Sequence, residues 1–373
     1  MRKIITCILL VLLLPVFASA SAETLGFGLV NNTDVALRKS PGGQKLIRLP
    51  KDTCVWIRDK QTDGKGDLWY EVNLGYSDGE TYRGRSGWMK AEFIDAGNTL
   101  WHDVSSVKAG EYGMMSLRKD GTVECVCNAD NQELRGWAAG LRDIRQVGLT
   151  WLGWGFYALS GSGTFSDSNG SIKPDIRLMN EFGYPYLLTK GNRLLTGGTG
   201  SVSWVWPQDV SPEQLSHITA MTNTEYRLLF LTDDGRVYAA YSSADKIAYP
   251  EPEWDKWTDV ISIDAGIIPL AGGNPYQYVF TAVRKDGTVL AAPDQLADLL
   301  YPWQDIRKIC IGFQWILGLK NDGTVIVLAP VDAKTPDVSD WAGITDIANG
   351  GDYIVGVKAD GTLVFAGEHK FSD

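Results

Sequence analysis

The segment Leu319-Lys320-Asn321-Asp322-Gly323-Thr324-Val325 decides the fold, because its pattern recurs along most of the chain. An Asp-Gly pair between two β-forming runs is a strong hairpin signal, since both residues tolerate the positive φ of a tight turn. Apolar residues alternate after the turn, as in Val325 and Val327, so one face of the strand is apolar. Six further copies, of which the second and third are degenerate, occupy residues 117–123, 159–165, 188–194, 231–237, 283–289 and 357–363.

A tryptophan marker precedes four of these hairpins. It reads Trp-x-x-Val or Trp-x-x-Ile, lies 20 or 30 residues before the turn glycine, and is followed three positions later by another apolar residue. The units recur every 29 to 52 residues, which is the length of a propeller blade. The markers are Trp101–Val104, Trp257–Val260, Trp303–Ile306 and Trp341–Ile344.

These units predict an all-β fold with a closed seven-bladed β-propeller at residues 97–373. A unit of three short strands cannot bury both of its faces alone, so neighbouring units must stack. Closure leaves few strand edges exposed, and we prefer it to an open solenoid, the competing arrangement. Because the last unit has no obvious outer strand of its own, we expect residues 96–101 to supply that strand.

Residues 1–22 have the organisation of an export signal. Arg2 and Lys3 precede the apolar run Ile4–Phe17, and small residues suited to cleavage follow at 18–22. The run is shorter than the roughly 20 apolar residues that span a bilayer. Cleavage removes two of the 35 basic residues and leaves 33 against 45 acidic ones, which argues against nucleic acid and anionic membranes as partners. We expect a secreted or cell-envelope protein.

Residues 23–96 lack the repeat and contain short alternating strands, with turns at Ser40–Gly42 and Lys51-Asp52. The pieces Leu37–Pro41, Trp69–Val72 and Gly84–Trp88 occur in an order that resembles the bacterial SH3-like domain, a small β-barrel. The insert 73–82 departs from that pattern. The resemblance implies a possible tether to cell-wall peptidoglycan. Its candidate groove residues are Trp69, Tyr70 and Trp88, for which core packing is the alternative interpretation.

The repeated units resemble those of the regulator-of-chromosome-condensation propeller family, in its secreted bacterial form, over roughly Trp101–Phe371. The pattern W-x-x-I-x-x-I-x-x-G leading to L-K-x-D-G-T-V carries the resemblance. Residues Asn131–Trp137 look like the irregular return segment of that family, whereas the histidine that often follows the marker glycine is missing. The export signal argues against carrying over the chromatin roles of nuclear members.

The sequence offers little for catalysis. Nucleophilic catalysis needs a base beside the nucleophile. The three histidines are scattered and expected at the surface, and the prominent aspartates are turn residues. We therefore expect no enzymatic activity, no metal and no cofactor. The histidines are His102, His217 and His369.

Four cysteines remain after signal cleavage, and we expect them to be small buried residues. Two of them, two positions apart, would lie about 6.6 Å apart on one strand face, near the outer limit for a disulfide. The spacing of cysteines and histidines does not match a zinc site. The cysteines are Cys54, Cys125, Cys127 and Cys310.

Aromatic residues recur near one position of each unit, about five residues before the apolar residue that precedes the turn. Equivalent positions form a ring around a propeller axis, so these residues predict a partner-binding ring, since Tyr and Trp combine apolar area with a polar tip. The alternative is that they fill the wedges between blades. The residues are Tyr112, Trp154, Tyr184, Tyr226, Tyr278, Trp315 and Tyr353.

The sequence therefore predicts a monomeric extracytoplasmic binding protein whose propeller face recognises an extracellular protein or a cell-wall glycan. A secreted inhibitor of an extracellular enzyme is the alternative, because propellers that resemble this repeat family include inhibitors of β-lactamases. A propeller glycosidase or lyase is a third possibility. The excursions 267–277 and 293–302 either build the partner surface or are neutral insertions.

Overall fold

The computed structural model describes residues 26–77, 82–127, 131–150, 153, 155–197, 204–205, 212–224, 227–242, 253–270, 277–330 and 334–369. The predicted export signal lies outside these ranges. Within them, none of the helices combines the length and the apolar character needed to cross a membrane.

The N-terminal residues form one seven-stranded antiparallel sheet, in the order β3-β2-β6-β5-β4-β1-β7. The predicted turns are present: the Gly43 N–H donates to the Ser40 carbonyl (2.8 Å), and Asp52 has a φ of 64°. The insert at 73–82 prolongs the β5–β6 hairpin, whose pairing continues to Ser77 opposite Tyr82. The strands are β1 (Gly26–Val30), β2 (Val35–Arg38), β3 (Lys45–Leu49), β4 (Cys54–Thr62), β5 (Leu68–Ser77), β6 (Tyr82–Lys90) and β7 (Ile94–Ala96).

The later described residues form seven small antiparallel sheets of three or four strands. In each sheet the first strand pairs with a middle strand, which pairs with a third. The first three sheets contain β8 (Val104–Gly110), β9 (Gly113–Arg118) and β10 (Val123–Cys127); β11 (Ile144–Leu149), β12 (Phe156–Ser160), β13 (Phe165–Asp167) and β14 (Ile172–Lys173); and β15 (Ile176–Met179), β16 (Tyr186–Thr189) and β17 (Leu194–Thr196).

The fourth sheet differs in that β18 precedes its first strand in the chain and pairs outside its third strand. The last four sheets contain β18 (Trp204–Val205), β19 (Ile218–Asn223), β20 (Arg227–Thr232) and β21 (Val237–Ser242); β22 (Val260–Ile268), β23 (Gln277–Arg284) and β24 (Val289–Ala292); β25 (Ile306–Ile311), β26 (Ile316–Lys320) and β27 (Val325–Leu328); and β28 (Ile344–Asn349), β29 (Tyr353–Lys358) and β30 (Leu363–Gly367).

Three short α-helices are α1 (Asn131–Gly140), α2 (Pro212–Ser216) and α3 (Asp294–Leu300). The prediction of an irregular return at 131–137 was wrong, because Leu134 and Ala138, four residues apart, bury one face of α1 against β10. Helix α3 occupies the predicted excursion at 293–302, so that segment is a packed helix and not an open loop.

All seven predicted hairpins lie between the middle and third strands of a sheet. The turn differs from the predicted one, since the glycine alone has a positive φ, as at Gly121 (79°). Asp120 instead accepts hydrogen bonds from the Thr122 N–H (2.9 Å) and hydroxyl (2.6 Å). This is a three-residue loop with one left-handed residue. In the degenerate copy at 188–194, Asn192 has the positive φ (59°).

The seven sheets close into a ring. In most sheets a backbone N–H of the first strand donates a hydrogen bond to the carbonyl of the turn glycine in the preceding sheet. The Ile344 N–H, for example, donates to the Gly323 carbonyl (2.9 Å). The first sheet makes the same bond to the last, from Val104 to Gly361 (2.9 Å). The remaining junction, between the third and fourth sheets, has an Arg177 hydrogen bond to the Ile218 carbonyl (2.8 Å). A closed ring of small antiparallel sheets is a β-propeller.

Closure does not use residues 96–101, contrary to the prediction. Ala96 ends β7 of the N-terminal sheet, and residues 97–99 form a 3₁₀ turn. Trp101 is buried, and its indole N–H donates to the Phe27 carbonyl (3.0 Å). The segment therefore joins the N-terminal sheet to the ring, and bonds between the first and last sheets close the ring directly.

The N-terminal sheet and the ring share one hydrophobic core. Ring centroids lie 5.2 Å apart for Phe27 and Tyr353, and 5.8 Å apart for Trp56 and Phe365. His369 was predicted at the surface but is fully buried among these rings, with Nδ1 3.0 Å from an Asp352 carboxylate oxygen. The prediction failed because the chain after β30 packs against the N-terminal sheet. His102 and His217 are exposed, as predicted.

Candidate binding site in the central channel

The first strands of the seven sheets surround a cavity of about 240 Å³. The residues that lie two or four positions after the first apolar residue of these strands supply much of its polar lining. Lys308 and Cys310, after Ile306, are examples from β25. Lysine and aspartate are rarely buried without partners, so those on the inner strands are expected to form ion pairs or hydrogen bonds.

Two ion pairs bridge different sheets around this channel. Lys108 Nζ lies 2.5 Å from Glu181 Oε2, and Gln146 Nε2 donates to the other oxygen of Glu181 (3.3 Å). Lys308 pairs with Asp346, which also accepts the Val107 N–H (3.0 Å). Each lysine on the channel wall is therefore neutralised by a carboxylate from a different sheet or its loop.

These pairs shift the protonation equilibria of their members. Burial opposes ionisation of Asp346, but Lys308, Lys108 and two hydrogen bonds outweigh it and lower the pKa to about 2. Burial likewise opposes ionisation of Glu181, yet the two lysines lower its pKa. Burial also disfavours the charge on Lys108, but the nearby carboxylates raise its pKa. All three groups are ionised at neutral pH.

Asp264 behaves differently. Its two oxygens accept backbone N–H groups, from Ala265 (2.9 Å) and Ile311 (2.7 Å), and it forms no ion pair with any residue that the structure describes. Burial raises its pKa to about 6, because the hydrogen bonds and the two lysines offset only part of the desolvation. Burial, and then the charge of Asp264, raise the pKa of the adjacent Cys310 thiol to about 12.

The channel thus offers charged and hydrogen-bonding groups for a small polar ligand. Cys310 is protonated at neutral pH and so is a poor nucleophile. Within the described ranges, His, Cys, Asp and Glu do not form a group of three or more that is placed to hold a metal ion.

The sequence analysis missed this site, although a signal was present. The charged residues stand between the two apolar residues of the repeated marker, or directly after them, as in Ile306-Arg307-Lys308-Ile309. A charge that alternates with apolar residues in a strand expected to be buried points to a polar interior surface.

The residues of the predicted aromatic ring differ in how far they are exposed. Trp315 and Tyr353 are buried, and the Tyr353 hydroxyl donates to the Gly110 carbonyl of the neighbouring sheet (3.1 Å). For these two residues the prediction of an exposed contact was wrong, because they fill space between sheets. Trp154 and Tyr226 lie outside the described residues.

Other aromatics do reach the surface on the side of the ring that carries the connections between first and middle strands, which we call the loop face (111–112, 180–185, 312–315 and 350–352). Tyr184 is 56% exposed, and Phe313, which the sequence analysis did not single out, is 52% exposed. Tyr112 and Tyr278 are half-buried. Glu181 belongs to both the loop face and the channel wall, so the channel reaches this face.

The three predicted groove residues of the N-terminal sheet do not form one surface. Trp69 and Trp88 lie on the same face of the β5–β6 hairpin, where the Arg38 guanidinium is 6.0 Å from the Trp69 ring centroid. Trp69 is buried, and its indole N–H donates to Asp63 (2.9 Å). Tyr70 points to the opposite face and packs against the core.

No family model and no curated protein matches this sequence. Similar solved structures include the computationally designed Ika8 protein, at 14% identity and a TM-score of 0.42, over 93% of this chain and 100% of that one. BamB from Moraxella catarrhalis is similar at 11% identity and a TM-score of 0.36, over 93% and 98%. Yeast RCC1 (Prp20) in complex with Kap60 is similar at 15% identity and a TM-score of 0.32, over 71% and 70%.

Proposed function

We propose that this protein is an exported, extracytoplasmic binding protein, in which seven blades of the regulator-of-chromosome-condensation type present the loop face to a protein partner. The repeated hairpins, the ring-closing bonds and the apolar N-terminal run support this assignment. A rigid ring that displays loops around one opening is a scaffold suited to recognition.

The observation that carries the proposal is the exposure of two large aromatic side chains on the loop face. Tyr184 and Phe313 expose more than half of their surface and belong to loops of different sheets. Aromatic residues of this kind are frequent energetic centres of protein interfaces. Glu181, which is ion-paired with Lys108, is also on this face and adds a polar group to the recognition surface.

The test is capture of partners from the extracytoplasmic fraction of the source cells by the immobilised mature protein. A partner retained by the wild type should be lost with Tyr184→Ala or Phe313→Ala. Tyr301→Ala is the matched control, since Tyr301 is 82% exposed but follows α3, away from the loop face. Equal capture by all variants would reject the loop face as the partner-binding surface. If the partner is an enzyme, its activity in the complex distinguishes inhibition from recognition alone.

We also propose that the N-terminal sheet is a bacterial SH3-like barrel that holds the protein at cell-wall peptidoglycan. The shared face of Trp69 and Trp88 supports this role. Because the sheet and the ring share a core, a point variant is a better test than deletion of residues 23–96. The wild type should sediment with purified peptidoglycan, and Trp88→Ala should sediment less. No sedimentation of the wild type rejects the tether.

A further inference from the structure

Beyond recognition of a partner, we infer that the central channel binds a small primary amine as its ammonium ion, held by the carboxylate of Asp264. The inference rests on the geometry of the channel wall and is independent of the proposed loop-face partner.

Among the residues that the structure describes, Asp264 is the channel carboxylate that forms no ion pair. Lys108 is taken by Glu181 and Lys308 by Asp346. When Asp264 is ionised, these five groups together carry one negative charge. A bound ammonium group would balance that charge, and charge-assisted hydrogen bonds to a carboxylate are among the stronger ones in proteins.

Asp264 also has a structural role, but this role does not use all of its hydrogen-bond acceptor positions. One of its two backbone hydrogen bonds, from the Ile311 N–H, ties β22 to β25, much as Asp346 ties β28 to the Val107 N–H of β8. An ionised carboxylate has about four acceptor positions, and these bonds use two. Asp346 directs its remaining capacity to Lys308, whereas Asp264 lines the cavity.

The cavity restricts the size and charge of the ligand. Its volume of about 240 Å³ equals that of roughly eight water molecules, which fits a short alkylamine. Met221 and Ile263 provide apolar wall for the alkyl chain, and Thr222 lies on the wall as well. A second ammonium group would meet Lys108 or Lys308, so the site favours monoamines over diamines.

Binding should depend on pH through Asp264. The charged and titratable groups that face it are Lys308 and Cys310 from β25 and Lys108 from β8, while β19 contributes the uncharged Thr222. Lys108 and the Cys310 thiol keep their protons between pH 5 and 7, as does an alkylammonium ion. Since burial raises the pKa of Asp264 to about 6, the site is mostly protonated at pH 5 and mostly ionised at pH 7.

Isothermal titration of the mature full chain with ethylammonium chloride, at constant ionic strength, tests the inference. We expect one saturable site per chain, with about tenfold weaker binding at pH 5 than at pH 7. Asp264→Asn should weaken binding at least tenfold. Asp298→Asn removes a charge from the exposed face of α3 and should bind like the wild type.

Absence of saturable binding by the wild type at pH 7, or equal affinity of the wild type and Asp264→Asn, overturns the inference. If Asp264→Asn does not fold, the wild type alone still tests the inference. An affinity for ethylammonium that is the same at pH 5 and pH 7 excludes Asp264 as the ligand-binding group. Tyr184→Ala should keep ethylammonium binding, so failure of the loop-face proposal and failure of this one are separable.

Discussion

At the scale of single residues, the turn glycines meet two requirements at once. Gly287 has a φ of 80°, where a side chain is strained, and a Cβ placed on it would lie 2.8 Å from the Asp305 Cα of the next sheet. Its carbonyl also accepts the Ile306 N–H (3.0 Å). The glycine is therefore needed for the hairpin and for the approach of the following sheet.

Gly287→Ala should lower the free energy of unfolding by about 2 to 3 kcal/mol, since backbone strain and a steric clash add. Gly66→Ala is the matched control, because Gly66 also has a positive φ (86°) but no atom lies within 4 Å of its added Cβ. It should cost about 1 kcal/mol. Urea unfolding of both variants measures the difference, and equal losses would show that the approach of the next sheet is unimportant.

Asp346 should make stability depend on pH below 4. Lys308, Lys108 and hydrogen bonds lower its pKa to about 2 against the burial that opposes ionisation, from an ordinary value of 3.8. The folded state therefore binds this proton more weakly than the unfolded state. The stabilisation, about 2 kcal/mol, is present above pH 3.8 and is lost as the pH falls towards 2.

The melting temperatures of the wild type and Asp346→Asn, followed from pH 7 to pH 2, measure this dependence. The wild type should melt at the higher temperature above pH 4, and the gap should narrow towards pH 2. A gap that stays constant over this range would show that ionisation of Asp346 does not stabilise the fold.

At the scale of secondary-structure elements, the repeated tryptophan marker has a packing partner on the middle strand. A Cβ at Gly318 would lie 2.5 Å from the Trp303 ring, and one at Gly356 would lie 2.9 Å from the Trp341 ring. In these two sheets the glycine of the middle strand therefore leaves space for the indole of the marker.

Helix α3 has one buried and one exposed side. Leu296 and Leu300 are fully buried against the β22–β25 core, whereas Leu299 is 41% exposed. Leu296→Ala should lower the free energy of unfolding by about 3 kcal/mol because it leaves a cavity, and the control Leu299→Ala should lower it by less than about 1 kcal/mol. Urea unfolding compares them. Similar losses for both would mean that α3 is not anchored through Leu296.

At the scale of the whole molecule, the aromatic cluster makes the N-terminal sheet part of the ring's core. Phe27 from β1 contacts Trp56, Tyr353 and His369, whose ring centroids lie 5.1 to 5.2 Å from that of Phe27. Contacts this extensive between two chain segments couple their unfolding.

Calorimetry of the protein should therefore show a single unfolding transition. Phe27→Ala should shift that whole transition to lower temperature, since truncation of a buried phenylalanine costs about 3 to 5 kcal/mol. Two transitions, of which only one moves in the variant, would show that the N-terminal sheet and the ring fold independently.

The local pattern was sufficient to predict the repeated hairpins. Hairpins such as Val357–Leu363 follow from Asp-Gly and alternating apolar residues, because turn chemistry and strand alternation are local properties. The same local information misplaced residues 131–137, where burial of Leu134 and Ala138 favours a helix. It also gave no basis for separating Tyr353, inside the core, from Tyr184, outside it.

The sequence by itself determined the repeated hairpins and the position, at about residue 96, after which the repeated pattern begins. Only the tertiary structure decided how the ring closes, why His369 is buried and that Asp264 forms no ion pair within the described part of the chain. Those features join residues far apart in the chain, such as Lys308 with Asp346, and depend on desolvation inside a cavity. Neither a contact across the ring nor the local dielectric is encoded in the spacing of neighbouring residues.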